Sequence, residues 1–338
     1  MSALNWSGGA NVSTETLTDL TRDNIHLSRP NLSLHGSTVG CTDLPEAVAG
    51  YVRDSFAENT HRAYKSDLRE FERWGGNIPA SAEVVASYLA QRADMLALAT
   101  LVRHLASISK AHEARGLSNP TRSELVRAVV RGIRRTKNCV QRQAKPLLRD
   151  DLLLVLEAMG DSIKDIRDRA LLLIGFAGAL RRSELVGLNV RDTEHVRHGI
   201  ILHVRRSKTD QDGEGQKIGI PFGRTSWCPV AALDSWLVAS EITEGAIFRP
   251  VDRHGIHPDR LSGEAVLLII RERVAATGLD QTRYSGHSLR AGMATSAAEA
   301  GVPTWRIRSQ TRHTSDAMLR RYVRAGELFA GNAAGALL

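Results

Sequence analysis

From Leu44 to about Lys137 the apolar residues recur at helical steps throughout, and the pattern stops in a polar run that ends at Pro146. That break constrains the fold more than any other feature. Helices with one apolar stripe each must bury those stripes against one another. The run Lys-Asn-Cys-Val-Gln-Arg-Gln-Ala-Lys over 137–145 has no period with which to continue any element, so it reads as an interdomain linker. With 338 residues the chain is long enough for a domain on either side. The division expected is a flexible tail over 1–43, a helical domain over 44–137, a linker over 138–146 and a second domain over 147–338. The tail is rich in Ser, Thr, Asn and Gly and shows no sustained period.

Within the first domain Asn59 and Thr60 offer an N-cap, Tyr64, Leu68 and Phe71 follow at helical steps, and Gly75-Gly76 ends the run. Ser81 opens a second helix with the stripe Val84, Val85, Tyr88 and Leu89. A third spans about 96–115 and stops at Gly116. A fourth follows Ser118-Asn119-Pro120, where proline suits a first turn. A bundle of four or five helices is expected. On the fourth helix Leu125, Val129 and Ile133 define one face, while Arg127, Arg131 and Arg135 take the roughly opposite face with Arg134 and Lys137. A run of charge is ordinarily a solvated face. Here only Glu124 opposes the cations, which favours a surface that tracks phosphates.

Beyond Pro146 helical patterns over 150–159 and 165–180 lead to a β region. Residues 199–206 are rich in β-branched side chains, 209–216 make a polar turn, and 217–222 return. Helices follow over about 229–240, 262–277, 288–300, 303–311 and 315–329. The fold class expected is therefore mainly α: an N-terminal helical bundle and an α+β domain with a small antiparallel sheet. There is no internal repeat.

Composition narrows the function. The formal net charge of +8 suits a polyanionic partner. Aromatic residues are only 5%, which argues against base stacking as the main binding mode. Cys41, Cys139 and Cys228 form no C-x-x-C pair, so neither a zinc site nor a disulfide framework is indicated, and a reducing cytoplasm is expected. No secretory signal and no membrane-spanning run is apparent.

Each candidate for chemistry also has an ordinary structural reading. Arg181 and Glu184, three apart, make a surface ion pair or a guanidinium oriented by a carboxylate; the apolar segment 171–178 before them places Arg181 near the core. Lys208 is a solvent-exposed turn residue or a mobile general acid. His287 and Arg290, again three apart at a helix start, are packing residues or a pair aimed at one phosphate. Tyr322 is a core aromatic or a nucleophile. Its neighbours Arg320, Arg321 and Arg324 are poor company for an interior ring, and positive charge stabilises a phenolate whose pKa is ordinarily about 10.

The order Arg181…Lys208…His287-Ser288-Leu289-Arg290…His313…Tyr322 resembles the catalytic set of the tyrosine site-specific recombinases, the lambda-integrase family. The likeness covers about Leu44 to the C-terminus, and the segment Gly286-His287-Ser288-Leu289-Arg290-Ala291-Gly292 is similar to Cre-like members. The resemblance implies a SAM-like core-binding domain followed by a catalytic domain. It implies that Tyr322 attacks the scissile phosphodiester to form a 3′-phosphotyrosyl link, with Arg181 and Arg290 neutralising the transition-state oxygens and Lys208 protonating the leaving 5′-oxygen. His287 assists at the tyrosine, His313 donates to the phosphate, and Glu184 supports Arg181. Metal and cofactor are both unnecessary to that chemistry. The implied partners are a double-stranded recombination site and a homotetramer holding two such sites, with no membrane. The tail after Gly331 is expected to dock on another protomer. Two departures stand out: Thr311-Arg312-His313 replaces the usual Leu-Gly-His, and the doublet Arg181-Arg182 leaves a register choice that the Arg-x-x-Glu spacing settles for Arg181. Competing readings are a type IB topoisomerase-like relaxing enzyme and a non-catalytic DNA-binding regulator; no carboxylate cluster points to a metal-dependent nuclease.

Overall fold

The computed structural model describes residues 58–137, 144–205, 215–313 and 322. The chain divides into two units, Met1–Ile133 and Arg134–Leu338. The tail over 1–43, most of the expected linker, Lys208 and the segment after Gly331 lie outside the described residues, as does the expected helix over 315–329 apart from Tyr322, which is helical.

In the first unit α1 (Glu58–Trp74), α2 (Ala82–Arg92), α3 (Leu98–Glu113) and the start of α4 (Glu124–Lys137) enclose Phe71, Val85, Tyr88, Leu89, Leu101, Ile108 and Val126. Their ends follow local chemistry. Gly75, at φ 111°, takes the chain out of α1, and the Ser81 hydroxyl accepts from the Val84 N–H at 3.4 Å to start α2. Pro120 opens a separate 3₁₀ turn (Pro120–Arg122), after which Ser123 caps α4 through the Val126 N–H. Buried Asp67 ties α1 to α3 by accepting from Arg103 at 2.9 and 2.8 Å and from Ser107 at 2.9 Å.

Two sequence expectations change here. Asn59 and Thr60 lie inside α1 rather than capping it. On α4 the inward residue is Val126, 1% exposed, with Val129, Val130 and Ile133 beside it, whereas Leu125 is 45% exposed. A strict four-residue step drifts off a 3.6-residue helix, so the stripe that packs is the mixed three-and-four one that passes through 126. Arg127, Arg131, Arg134 and Arg135 are exposed and Lys137 half-buried; Arg131 pairs with Glu124 at 2.5 Å.

The second unit is organised around α6 (Ile163–Ala177), whose residues Ala170–Ile174 are all buried. A reciprocal cap between Ser162 and Asp165 starts it. Packed near it are α5 (Arg149–Glu157), the short α7 (Arg182–Gly187), α8 (Pro229–Ser240), α9 (Gly263–Ala275), α10 (Ser288–Glu299) and α11 (Thr304–Thr311). The antiparallel sheet has three strands in the order β1 (Thr193–Val196), β2 (Gly199–Val204), β3 (Gln216–Pro221). The sequence pattern anticipates β2 and β3 but not β1, because Thr-Glu-His-Val carries no alternation and none of its side chains is fully buried. Nor does it anticipate the two-residue strands β4 (Val251–Asp252) and β5 (Gly255–Ile256).

The end of the polar run belongs to this unit. Lys145 N–H donates to the Arg283 carbonyl at 2.7 Å, and Leu147 N–H to the Ser288 carbonyl at 2.9 Å. This segment presses on α10, where a Cβ on Gly292 would come within 1.7 Å of the Leu147 carbonyl oxygen. The neighbour is backbone and cannot rotate away. Gly292→Ala is expected to cost at least the roughly 3 kcal/mol at the upper end of overpacking penalties, read as a fall in melting temperature.

Candidate active site

The site begins where α6 stops. Gly178, Ala179 and Leu180 turn the chain, with Ala179 buried at φ 46°, a left-handed conformation that residues with a Cβ avoid. Arg181 then caps α7 from an extended backbone (φ −69°, ψ 150°), and Glu184, three residues on, reaches back to it. The Arg181 N–H donates to Glu184 Oε2 at 2.9 Å and its guanidinium to Oε1 at 2.5 Å. The i, i+3 spacing thus makes a helix cap and an ion pair at once. Arg181 is half-buried while Arg182 is exposed, so Arg181 is the one of the doublet that meets the carboxylate.

Glu184 is buried, and burial by itself pushes a carboxyl up. The charge of Arg312 and the N–H and guanidinium of Arg181 outweigh that and hold it below the usual carboxylate range. Arg312 reaches it from the end of α11, donating to Glu184 Oε2 at 2.7 Å.

Arg290 stands in the first turn of α10 and is 1% exposed. One of its terminal nitrogens donates to the Ala179 carbonyl at 2.8 Å; the other, also buried, has no acceptor among the described residues. Burial, with Arg181 and Arg312 nearby, pulls its pKa down to about 10. A guanidinium in this state is costly, and an anion is the group that relieves it.

His287 precedes α10 and places Nε2 2.6 Å from the Tyr322 hydroxyl. Its ring keeps access to solvent, yet the surrounding protein and the charges of Arg290 and Arg181 lower its pKa. A neutral ring with its proton on Nδ1 can accept the phenolic O–H at Nε2. His313 stacks on Tyr322, with ring centroids 5.6 Å apart. It is 6% exposed, and burial plus the charges of Arg290 and Arg181 bring its pKa to about 4. Its tautomer follows from Thr311. The Thr311 hydroxyl lies 2.7 Å from the Ile307 carbonyl, a separation that requires the proton between them, so it accepts from His313 Nδ1–H at 2.8 Å. Neutral His313 then keeps its lone pair on Nε2.

The structure thus gathers Arg181, Glu184, His287, Arg290, His313 and Tyr322 in one place. The exposed cations of α4 are described only with their own helix. Sequence reasoning misses Arg312, Thr311 and the Ala179 carbonyl as parts of the site. The only signal is the substitution of Thr-Arg for Leu-Gly before His313; nothing in local spacing joins residue 312 to residue 184. Among the described residues no group of three His, Cys, Asp or Glu side chains converges as a metal site, and no helix is long and apolar enough to cross a membrane.

Two arginines, two histidines and a phenol so placed can hold a phosphate and set an oxygen nucleophile against it. Residues 145–327 match the phage integrase family. An integrase/recombinase xerD homolog of Selenomonas ruminantium is 39% identical over 290 residues, which cover 82% of this chain and 85% of that protein. The cre recombinase of Escherichia phage P1 is 27% identical over 298 residues, covering 80% of this chain and 85% of its own. In fold, a lambda integrase tetramer bound to a Holliday junction superposes with a TM-score of 0.55 at 18% identity, over 80% of this chain and 73% of that one. The chain belongs to the phage integrase family, the tyrosine recombinases, which are enzymes that cleave and rejoin DNA.

The low pKa of His313 has a consequence for stability. Unfolded, the ring takes a proton near 6.5; folded, only near 4. Between those values the unfolded state holds more protons, so stability falls as pH is lowered through that window. Glu184 acts in the same direction further down, its contribution being lost as pH drops through its depressed value. Wild type should lose on the order of 2 kcal/mol more than His313→Gln between about pH 6.5 and 5 in denaturant titrations, since a tenfold change in proton affinity corresponds to about 1.4 kcal/mol.

Proposed function

We propose that this chain is a site-specific DNA recombinase whose nucleophile is Tyr322. The observation that carries the reading is the 2.6 Å contact between the Tyr322 hydroxyl and His287 Nε2, in a site where a buried Arg290 nitrogen has no acceptor among the described residues. His287 takes the phenolic proton as the oxygen attacks phosphorus. The bond from phosphorus to the 5′-oxygen breaks, a 3′-phosphotyrosyl link forms, and Lys208 supplies the proton to the departing 5′-hydroxyl. Arg181 and Arg290 hold the non-bridging oxygens, whose charge grows toward the transition state. Glu184 orients Arg181. The phosphate favours a proton on His313 Nε2, which turns that atom into a donor. The phosphotyrosine conserves bond energy, so rejoining is the same reaction reversed, with no metal or cofactor called for.

In this reading residues 44–137 form the core-binding domain, 138–146 the linker and 147–338 the catalytic domain, acting on double-stranded DNA in the cytoplasm. Arg127, Arg131, Arg134, Arg135 and Lys137 follow the phosphate backbone. A homotetramer exchanges strands between two sites through a Holliday junction, as the lambda integrase likeness suggests for a chain of this fold.

A selection for covalent attachment tests this without the recombination sequence in hand. The protein is incubated in EDTA with a pool of randomised duplexes, denatured in SDS, and the DNA that stays attached is recovered. Wild type should retain DNA, and Tyr322→Phe should retain none while binding the recovered duplex with unchanged affinity. Cleavage that needs metal, or that survives loss of the hydroxyl, sinks the mechanism. Separately, Arg127→Ala with Arg134→Ala should weaken binding across sequences and reduce the salt slope by about 1 for each phosphate no longer neutralised.

A further inference from the structure

Arg181 and Arg312 meet on the Glu184 carboxylate and Arg290 shares the Ala179 carbonyl with Arg312, yet the chemistry above employs only Arg181 and Arg290 of these three guanidiniums. The third, Arg312, has side-chain exposure of only 8%. It donates to Glu184 Oε2 at 2.7 Å, to the Gly178 carbonyl at 3.2 Å and to the Ala179 carbonyl at 3.4 Å. Those acceptors are not independent of the other two arginines. Glu184 Oε1 receives Arg181 at 2.5 Å, and the Ala179 carbonyl receives Arg290 at 2.8 Å. Arg312 is thus the side chain that touches the support of Arg181 and the support of Arg290 together.

The backbone does not call for arginine here. Residue 312 has φ 54° and ψ 44°, the left-handed region that glycine enters without strain and most other residues avoid. A glycine would end α11 equally well. What an arginine adds is its planar fork, which can bond a carboxylate and carbonyls in fixed relative positions.

We propose that Arg312 is a positioning residue for strand cleavage, bridging Glu184 to the Gly178 and Ala179 carbonyls so that the guanidiniums of Arg181 and Arg290 are held as one preformed fork. The inference rests on the reading that those two arginines hold the scissile phosphate. Among the described residues, without the bridge Glu184 Oε2 keeps only the Arg181 N–H, and the Ala179 carbonyl keeps one side-chain donor, Arg290. Both arginines then gain freedom at the point where transition-state charge must be met by donors already in place. Affinity for DNA is spread over many phosphate contacts and should hardly register the change.

The experiment compares single-turnover cleavage of a nicked duplex by wild type, Arg312→Gly, Arg312→Asn and Arg312→Lys, using the duplex recovered by covalent selection with the wild-type protein. Glycine and asparagine both suit the left-handed backbone, which offsets part of the cost of taking one cation from buried Glu184, and rates are compared well below the melting temperature of each variant. They should bind the duplex within about threefold and cleave it about 10- to 100-fold more slowly, the scale of a small misplacement of reacting groups. Lysine, which restores the charge without the fork, should recover part of the rate. Cleavage by the glycine and asparagine variants within about twofold of wild type, less than any misplacement of reacting groups would cause, overturns the proposal. So does a loss of rate that merely tracks a lower melting temperature or weaker binding. If wild type itself forms no covalent complex, the reading of Tyr322 as nucleophile fails first, and the two failures are told apart.

Discussion

The buried carboxylate of Glu184 is the interaction on which the site depends. Burying a charge is costly unless it is paired and hydrogen-bonded, and Glu184 is met by the Arg181 N–H, the Arg181 guanidinium and the Arg312 guanidinium. Those bonds span α7 and the end of α11, segments far apart in the chain. The Ala179 carbonyl then brings in α10 through Arg290. Helix α7 is thereby held to one geometry with α10 and α11, which lie far along the chain from it, and Gly292 allows α10 to lie close against the segment at Leu147.

The same arrangement leaves an excess of positive charge. Burial first, and the surplus charge of the arginines second, lower the pKa values of both His287 and His313. Kept neutral in this way, an imidazole beside Tyr322 can accept a proton. An incoming phosphate supplies the negative charge that such a cluster lacks, and it shifts the balance back toward protonation of His313.

Much of this architecture is legible in the chain alone. Periodicity locates the longer helices among the described residues and the strands β2 and β3, since those segments carry one clear apolar face, but not the six-residue α7, which is too short to show a period. It fails where that signal is weak. β1 is polar and mostly exposed, and its pairing with β2 arises from the neighbouring strand rather than from its own pattern. A step of four residues points to Leu125 because it looks regular in sequence, but it drifts around a helix, and Val126 is the residue that enters the core. Arg181, Glu184, His287, Arg290, His313 and Tyr322 can be singled out because residue type, order and short spacing are local properties. Arg312 cannot, because its partners are distant and a left-handed arginine carries no sequence signature.

The sequence by itself determined which groups are available: a phenol, two histidines, a lysine and several arginines, on a chain that must fold as helices plus a small sheet. Side-chain chemistry and periodicity are written residue by residue, and neither needs a partner to be read. Only the tertiary structure decided which nitrogen meets which oxygen, and that Arg312 joins the supports of the other two. Those outcomes depend on long-range contacts, where burial makes each unpaired charge costly enough to select one arrangement over the alternatives.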